Sequence, residues 1–134
     1  MKRSLVTVIA AFGFLLICLG ISIPAYAVPQ SDYYSTCQNI SIDGRKLKAD
    51  CLTYDKDWRV GSTLNLLGFE NINGQLTETG QDDSSTFQET CKNISINKAI
   101  LSAICTNRDA SSKLSSAVLT GIVNENGYLK YVDR

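Results

Sequence analysis

Four cysteines form two pairs with identical spacing, because thirteen residues separate Cys37 from Cys51 and thirteen separate Cys91 from Cys105. Thiolates could bind a metal, act as nucleophiles or close disulfides. Thirteen intervening residues are not a zinc-ligand spacing, and the chain has no histidine to complete a metal site or to activate a nucleophile. We therefore expect structural disulfides, with no metal and no cofactor.

Two glutamates, Glu70 and Glu89, could in principle provide the paired carboxylates of a glycosidase. Nothing in the sequence marks either residue as a general acid, and a domain of this length is not expected to hold a deep active-site pocket. The sequence therefore predicts a protein that is not an enzyme and has no catalytic residues.

The beginning of the chain has the pattern of an export signal. A short basic start precedes an apolar run, Leu5–Ile23, which ends in the small-residue motif Ala25-Tyr26-Ala27. This pattern is typical of a signal peptide cleaved after the last alanine; an uncleaved anchor is the alternative, since the run is long enough to span a bilayer. We predict a signal peptide over residues 1–27 and an exported domain over residues 28–134, secreted or periplasmic in a bacterium and without stable membrane insertion after cleavage.

The predicted mature chain has little net charge. Cleavage removes two of the 13 basic residues and none of the 13 acidic ones, so the formal net charge becomes −2. No basic surface for nucleic acid is expected from this balance. Cleavage also leaves four of the five cysteines, and an even number in a small exported domain is typical of two disulfides.

The mature chain consists of two copies of one unit. At an offset of 54, nine of the nineteen residues of Tyr33–Cys51 are identical to their counterparts in the second copy. Later the offset becomes 53, and the motif Asn71-x-Asn73-Gly74 recurs as Asn124-x-Asn126-Gly127. This density of identities indicates internal duplication. The predicted units are repeat one at about 33–78, a polar linker at about 79–85 and repeat two at about 86–134.

Alternating polar and apolar residues on both sides of Gly44 predict a β-hairpin that turns there. This hairpin places Cys37 opposite Cys51, and the second repeat has the same symmetry about Lys98. Of the three possible connectivities we therefore select Cys37–Cys51 and Cys91–Cys105. The buried face of the first hairpin is expected to carry Ile40, Ile42, Leu47, Ala49 and Cys51, and the other face Lys46, Lys48 and Asp50.

Further hairpins are predicted at Asn73-Gly74 and Asn126-Gly127, because both residue types tolerate a positive φ. Short helical turns are expected within Leu64–Phe69 and Leu114–Val123. Each copy alone is too small to bury much apolar surface, so the two are expected to form one pseudo-symmetric all-β body.

The pattern Tyr33-x-x-Thr36-Cys37-x-Asn39-Ile40-Ser41-Ile42-x-Gly44-x-x-Leu47-x-Ala49-x-Cys51, followed by Asn71-x-Asn73-Gly74-x-Leu76, resembles the cyanovirin-N homology family, and so does its second copy, Phe87 to Leu129. The resemblance implies two triple-stranded sheets with hairpins, in which each structural half contains parts of both repeats. It also implies a lectin that binds mannose-type oligosaccharides without metal, through sites at opposite ends of the molecule.

The resemblance implies a main sugar site that combines the hairpin of repeat one with both cysteine flanks of repeat two. Its predicted residues are Glu70, Asn71, Asn73, Glu89, Thr90, Thr106, Asn107 and Arg108. Carboxylates would accept from sugar hydroxyls, and Arg108 would donate to the bound sugar. Ser85 and Thr86 are placed on the approach to this site.

The resemblance also implies a second sugar site at the other end of the molecule, where this sequence departs further from the family pattern. Its predicted residues are Ser35, Thr36, Tyr54, Asn124 and Asn126. Leu52 stands where the family has an acidic residue, and Tyr54 replaces a smaller polar one. The expected partners are high-mannose-type glycans or mannose-containing polysaccharides. The alternative is an exported structural or protein-interaction module with decayed sugar sites, and the linker leaves both a monomer and a domain-swapped dimer open.

Overall fold

The computed structural model describes residues 28–132, so the predicted signal peptide lies outside the described residues. One 3-10 turn precedes the first cysteine of each repeat: Tyr33–Ser35 in repeat one and Phe87–Glu89 in repeat two. The strands are β1 (Cys37–Asp43), β2 (Lys46–Leu52), β3 (Trp58–Asn65), β4 (Phe69–Ile72), β5 (Gln75–Glu78), β6 (Cys91–Asn97), β7 (Ile100–Thr106), β8 (Ser112–Val118), β9 (Ile122–Glu125) and β10 (Tyr128–Tyr131). Within this part of the chain no helix is long and apolar enough to cross a membrane.

The strands form two triple-stranded antiparallel sheets and two hairpins. One sheet has the order β1-β2-β3 and the other β6-β7-β8, while β4 pairs with β5 and β9 with β10. Each repeat therefore contributes one sheet and one hairpin. The predicted all-β class, with triple-stranded sheets and hairpins, is confirmed.

Both predicted disulfides are present. Cys37 lies opposite Cys51 in the β1–β2 ladder, and Cys91 lies opposite Cys105 in the β6–β7 ladder. The alternation that predicted this arrangement follows from the period of two in a strand, which brings every second side chain to the same face. It places the side chain of Leu47 fully in the core.

Each hairpin packs against the sheet of the other repeat. The backbone N–H of Leu76 in β5 donates to the Ser115 hydroxyl of β8 at 2.8 Å. The equivalent N–H of Leu129 in β10 donates to the Ser62 hydroxyl of β3 at 2.9 Å. Each structural half is thus built from both repeats, as the resemblance implied.

Each 3-10 turn contributes one buried aromatic side chain to the core. Tyr33 and Phe87 occupy equivalent positions and are fully buried. The Tyr33 hydroxyl donates to the backbone carbonyl of Lys98, in the β6–β7 turn of the other repeat. Burial, together with the neighbouring Tyr34, raises the pKa of the Tyr33 phenol well above its usual value.

The polar segment after β5 is hydrogen-bonded to the chain between β3 and β4 and to the start of β4. Ser85, predicted to approach the sugar site, is instead completely buried. Its hydroxyl accepts from the N–H of Phe69 at 2.9 Å, and its own N–H donates to the carbonyl of Leu66 at 3.1 Å. The prediction was wrong because the Ser85 hydroxyl accepts the hydrogen bond of Phe69, the first residue of β4, as a strand carbonyl would, and this keeps the Ser85 side chain inside.

The change of repeat offset from 54 to 53 has a structural cause. In the β2–β3 ladder, Ala49 faces Ser62 and Cys51 faces Arg59, so two residues of β3 lie opposite Asp50 alone. Gly61 occupies this bulge with a φ of +73° and donates its N–H to the Asp50 carboxylate at 2.8 Å. The β7–β8 ladder is regular. Repeat one therefore contains one extra residue as a β-bulge.

Two local predictions need correction. The helical turns expected within Leu64–Phe69 and Leu114–Val123 are absent, because these segments continue β3 and β8 and then lead into β4 and β9. Ile40 and Ile42 are half-buried rather than buried. The cause lies at Asn39, whose φ of +51° accompanies a break in the β1–β2 register and turns the following residues partly outward.

Candidate functional site

The first candidate site, called site A, is a cavity of about 330 Å³ at the tip of the β4–β5 hairpin. The hairpin of repeat one forms one wall. The start of β6 and the end of β7, both from repeat two, form the other. The lining residues are Asn71, Ile72, Asn73, Thr90, Thr106, Asn107 and Arg108.

Asn71 joins the two walls of site A. Its side-chain amide donates to the Thr90 hydroxyl at 2.9 Å and to the Thr106 carbonyl at 2.8 Å. Its side-chain oxygen accepts from the N–H of Gly74 at 2.8 Å, which closes the hairpin turn. Both ends of the Asn71 amide are therefore engaged, and they hold the Thr90 hydroxyl at the edge of the cavity. Because that hydroxyl accepts from Asn71, its own hydrogen remains for donation.

The opposite side of site A is the loop between β7 and β8. Asn107 fixes this loop by donating to the Ser111 hydroxyl at 2.6 Å and accepting from the Ser111 N–H at 3.1 Å. The backbone N–H of Arg108 donates to the side-chain oxygen of Asn73 at 3.0 Å. This bond anchors the backbone of Arg108. Because Arg108 is exposed, its guanidinium is accessible to a ligand.

Six of the eight residues predicted for the main site line site A, and Ile72 joins them without having been predicted. Glu70 and Glu89 do not line the cavity. Both are exposed, and each directly precedes a lining residue along the chain. Within residues 28–132 no ion pair joins Glu89 to Arg108.

The second candidate site, called site B, is a cavity of about 220 Å³ at the tip of the β9–β10 hairpin. The repeats exchange their roles here. The hairpin of site B belongs to repeat two, and the residues next to the cysteines belong to repeat one. The lining residues are Thr36, Leu52, Thr53, Tyr54, Lys56, Asn124 and Asn126.

The hydrogen bonds of site A recur in site B. The side-chain amide of Asn124 donates to the Thr36 hydroxyl at 3.0 Å and to the Leu52 carbonyl at 2.9 Å. The backbone N–H of Tyr54 donates to the side-chain oxygen of Asn126 at 2.9 Å. The duplicated sequence thus produces a duplicated binding framework with different side chains around it.

Four of the five residues predicted for the second site line site B. Ser35 does not line it, because its hydroxyl donates to the Asp32 carbonyl at 2.8 Å within the 3-10 turn. Lys56 was not predicted. It adopts a φ of +69°, as its counterpart Ala110 does at +65°, so a shared loop conformation places it there.

The donors and acceptors in both sites suit polyhydroxyl ligands. Threonine hydroxyls and asparagine amides both donate and accept, as sugar hydroxyls do, and their backbone supports are fixed by hydrogen bonds. Among residues 28–132 no group of three or more metal-ligand side chains gathers in space. Both cavities are lined by residues of loops, strand ends and hairpin tips.

The fold and the paired cavities define a two-repeat, disulfide-linked β protein with a duplicated polar binding framework. The chain belongs to the CVNH family, because the family model described as the CVNH domain matches residues 33–130. This match confirms the resemblance found in the sequence. No significant match was found among curated protein sequences.

Solved structures of several family members share the fold. TbCVNH of T. borchii is 25% identical with a TM-score of 0.64, over 75% of this chain and 99% of that one. Microvirin, solved in complex with mannobiose, is 27% identical with a TM-score of 0.57, over 73% and 95% of the two chains. A MoCVNH3 variant, solved in complex with (N-GlcNAc)4, is 15% identical with a TM-score of 0.64, over 76% and 97%, and shows the fold alone.

Proposed function

We propose that this protein is a carbohydrate-binding lectin that recognises mannose-type oligosaccharides at site A, without metal and without catalysis. The observation that carries the proposal is the cavity between the two repeats, in which the amide of Asn71 positions Thr90 and the side chain of Asn73 anchors the backbone of Arg108. The complex of the related microvirin with mannobiose supports the choice of ligand.

Charged side chains at the margin of site A would strengthen the binding of hydroxyl groups. Glu70 lies on the same face of β4 as the lining residue Ile72, because the two are two residues apart in a strand. Glu89 directly precedes Thr90. Carboxylates accept from hydroxyls in charge-assisted hydrogen bonds, and the guanidinium of Arg108 donates from the opposite side. We assign Glu70 and Glu89 as acceptors and Arg108 as the donor.

We further propose that the protein acts outside the cytoplasm after removal of residues 1–27. The basic start, apolar run and small-residue motif support export. Two disulfides support an oxidising compartment, because such bonds persist mainly outside the cytosol. Expression of the full chain in a bacterium, followed by mass spectrometry of the exported product, should give an N-terminus at Val28.

The sugar proposal is tested by titration calorimetry of the oxidised mature chain with α-linked mannobiose. We expect binding with about one site per chain, lost in a Glu89→Ala/Arg108→Ala variant, because two of the three charge-assisted partners of site A disappear. The matched control is Ser35→Ala/Tyr54→Ala, which alters the equivalent positions of repeat one and should leave mannobiose binding in place. Absence of mannobiose binding by correctly folded wild-type protein would contradict the proposal.

A further inference from the structure

Sites A and B share one framework and differ in the residues around it. At the offset of 54, Glu89 of site A corresponds to Ser35, and Arg108 corresponds to Tyr54. At the offset of 53, Glu70 corresponds to Val123. At these three positions site B therefore lacks the two carboxylates and the guanidinium that would bind hydroxyl groups at site A.

Apolar and aromatic groups take their place. Leu52 replaces Thr106 in the lining, and Tyr54 is 72% exposed beside it. Trp58 and Tyr128 are 45% and 53% exposed. Within residues 28–132 these three aromatic side chains are the exposed ones. All three belong to elements that form this end, and aromatic rings left in water at one place indicate a ligand with an apolar face.

A second cavity adjoins site B. It has a volume of about 320 Å³ and is lined by Arg59, Val60, Gly61, Ser62, Thr63, Tyr128 and Leu129. The tip of the β9–β10 hairpin lies between the two cavities: a Cβ built on Gly127 would lie 2.8 Å from Arg59 and 3.1 Å from Thr53. A ligand longer than one sugar ring could therefore contact both cavities around this tip.

The adjoining cavity is lined by a cation, Arg59. The guanidinium of Arg59 lies 3.9 Å from the centre of the Tyr128 ring. Its Nε is buried under the hairpin tip, since a Cβ built on Gly127 would lie 2.9 Å from that atom. A ligand in this cavity would therefore meet the positive charge of Arg59 rather than its Nε.

We propose that site B, together with the adjoining cavity, binds an oligomer of 2-acetamido sugars rather than mannose. The inference rests on the proposed lectin function and assigns a different sugar to the second site. The acetamido methyl matches the apolar side chain of Leu52, and the C–H face of a sugar ring matches the rings of Tyr54 and Tyr128. The amide carbonyl matches the cations Lys56 and Arg59. Mannose carries no acetamido group and would leave the side chain of Leu52 and the two cations without these partners.

The proposal is tested by separate titrations of the oxidised mature chain with triacetylchitotriose and with α-linked mannobiose. We expect one site for each sugar. Tyr54→Ala should weaken chitotriose binding by at least about tenfold, which corresponds to the loss of one aromatic contact. Tyr54→Phe should retain it, because the ring remains. Ile100→Ala, exposed on β7 outside both sites, should change neither affinity.

A graft of five residues gives the sharpest outcome. Because the framework is shared, the variant Ser35→Glu/Leu52→Thr/Thr53→Asn/Tyr54→Arg/Val123→Glu should lose chitotriose binding and raise the mannobiose stoichiometry from about one to about two. Failure of wild-type protein to bind chitotriose while mannobiose binds would overturn this inference and leave the proposed function intact. Two mannobiose sites in wild type, or chitotriose binding that disappears with Arg108→Ala instead of Tyr54→Ala, would also overturn it. Chitotriose binding at site B without any mannobiose binding would support it and contradict the assignment of site A.

Discussion

Asn71 and Asn124 hold equivalent places in opposite hairpins, and each donates its side-chain amide to a threonine hydroxyl and a strand-end carbonyl of the other repeat. The same two residues close their own hairpin turns by accepting from Gly74 and Gly127. Each asparagine therefore links the two repeats and shapes a candidate site at the same time. Stability and binding should be coupled at these positions.

Asn71→Ala should lower both stability and sugar binding. The substitution removes three hydrogen bonds and leaves the Thr106 carbonyl without its side-chain donor. At about 0.5–1.5 kcal/mol for each bond, the free energy of unfolding should fall by about 1.5–4.5 kcal/mol. Urea denaturation would measure the fall, and calorimetry at a temperature well below the transition would show the loss of mannobiose binding.

Two variants control the Asn71 experiment. Asn124→Ala should cost similar stability and leave mannobiose binding at site A in place. Thr77→Ala, on the same hairpin, should have little effect, because the Thr77 hydroxyl donates to the nearby Gln75 carbonyl at 3.2 Å and joins no residue of repeat two within residues 28–132. Equal loss of mannobiose binding in the Asn71 and Asn124 variants would show that the two sites are not independent.

The hairpins and disulfides were predictable because local patterns specify them. The Asn-Gly pairs select a turn with positive φ, and alternation around Gly44 sets the register that brings Cys37 to Cys51. The bulge at Gly61 was not predictable from one repeat. In the sequence the bulge is indicated by the change of offset from 54 to 53. That change shows that one extra residue lies between Cys51 and Asn71, but not at which position.

The candidate site was predictable only in part. The resemblance placed Asn71 and Thr90 together, and the structure brings them into contact. It did not indicate that Ser85 would be buried or that Arg59 and Tyr128 would form a second cavity beside site B. Those features depend on how each hairpin packs on the opposite sheet, which is a long-range relationship with no local sequence pattern.

Gly127→Ala should destabilise the protein more than Gly80→Ala. Both glycines have positive φ, +88° and +74°, so alanine is strained at either position by about 1–2 kcal/mol. At Gly127 the added methyl would also lie 2.8 Å from Arg59, whereas at Gly80 no atom of residues 28–132, its two chain neighbours aside, lies within 4 Å of it. Thermal unfolding of the two variants would separate the steric cost from the backbone cost. Equal melting temperatures would mean that Arg59 moves aside freely.

Removal of either disulfide should cost about 3 kcal/mol in unfolding free energy, as the chain-entropy model gives for a loop of about 15 residues. The two bonds close loops of the same sequence separation, 14, so Cys37→Ala/Cys51→Ala and Cys91→Ala/Cys105→Ala should behave alike. Denaturant titration of both double variants would check this. A loss below about 1 kcal/mol in one of them would show that its reduced chain retains the hairpin when unfolded.

The stability should fall in acid partly through Asp50. Hydrogen bonds from the side chain of Asn39 and the N–H of Gly61 lower the pKa of the Asp50 carboxyl below its usual value of 3.8. A carboxyl whose pKa is lower in the folded state stabilises the fold above its unfolded pKa, and this contribution is lost as the pH falls through the folded pKa. Unfolding free energies measured between about pH 6 and about pH 2.5 should therefore fall less steeply in Asn39→Ala than in wild type. Asn93→Ala is the matched control, because Asn93 has the same backbone conformation, with a φ of +52°, while Ile104 replaces the carboxylate in its repeat. An unchanged slope in Asn39→Ala, or an equal change in both variants, would contradict the role of the Asn39–Asp50 hydrogen bond.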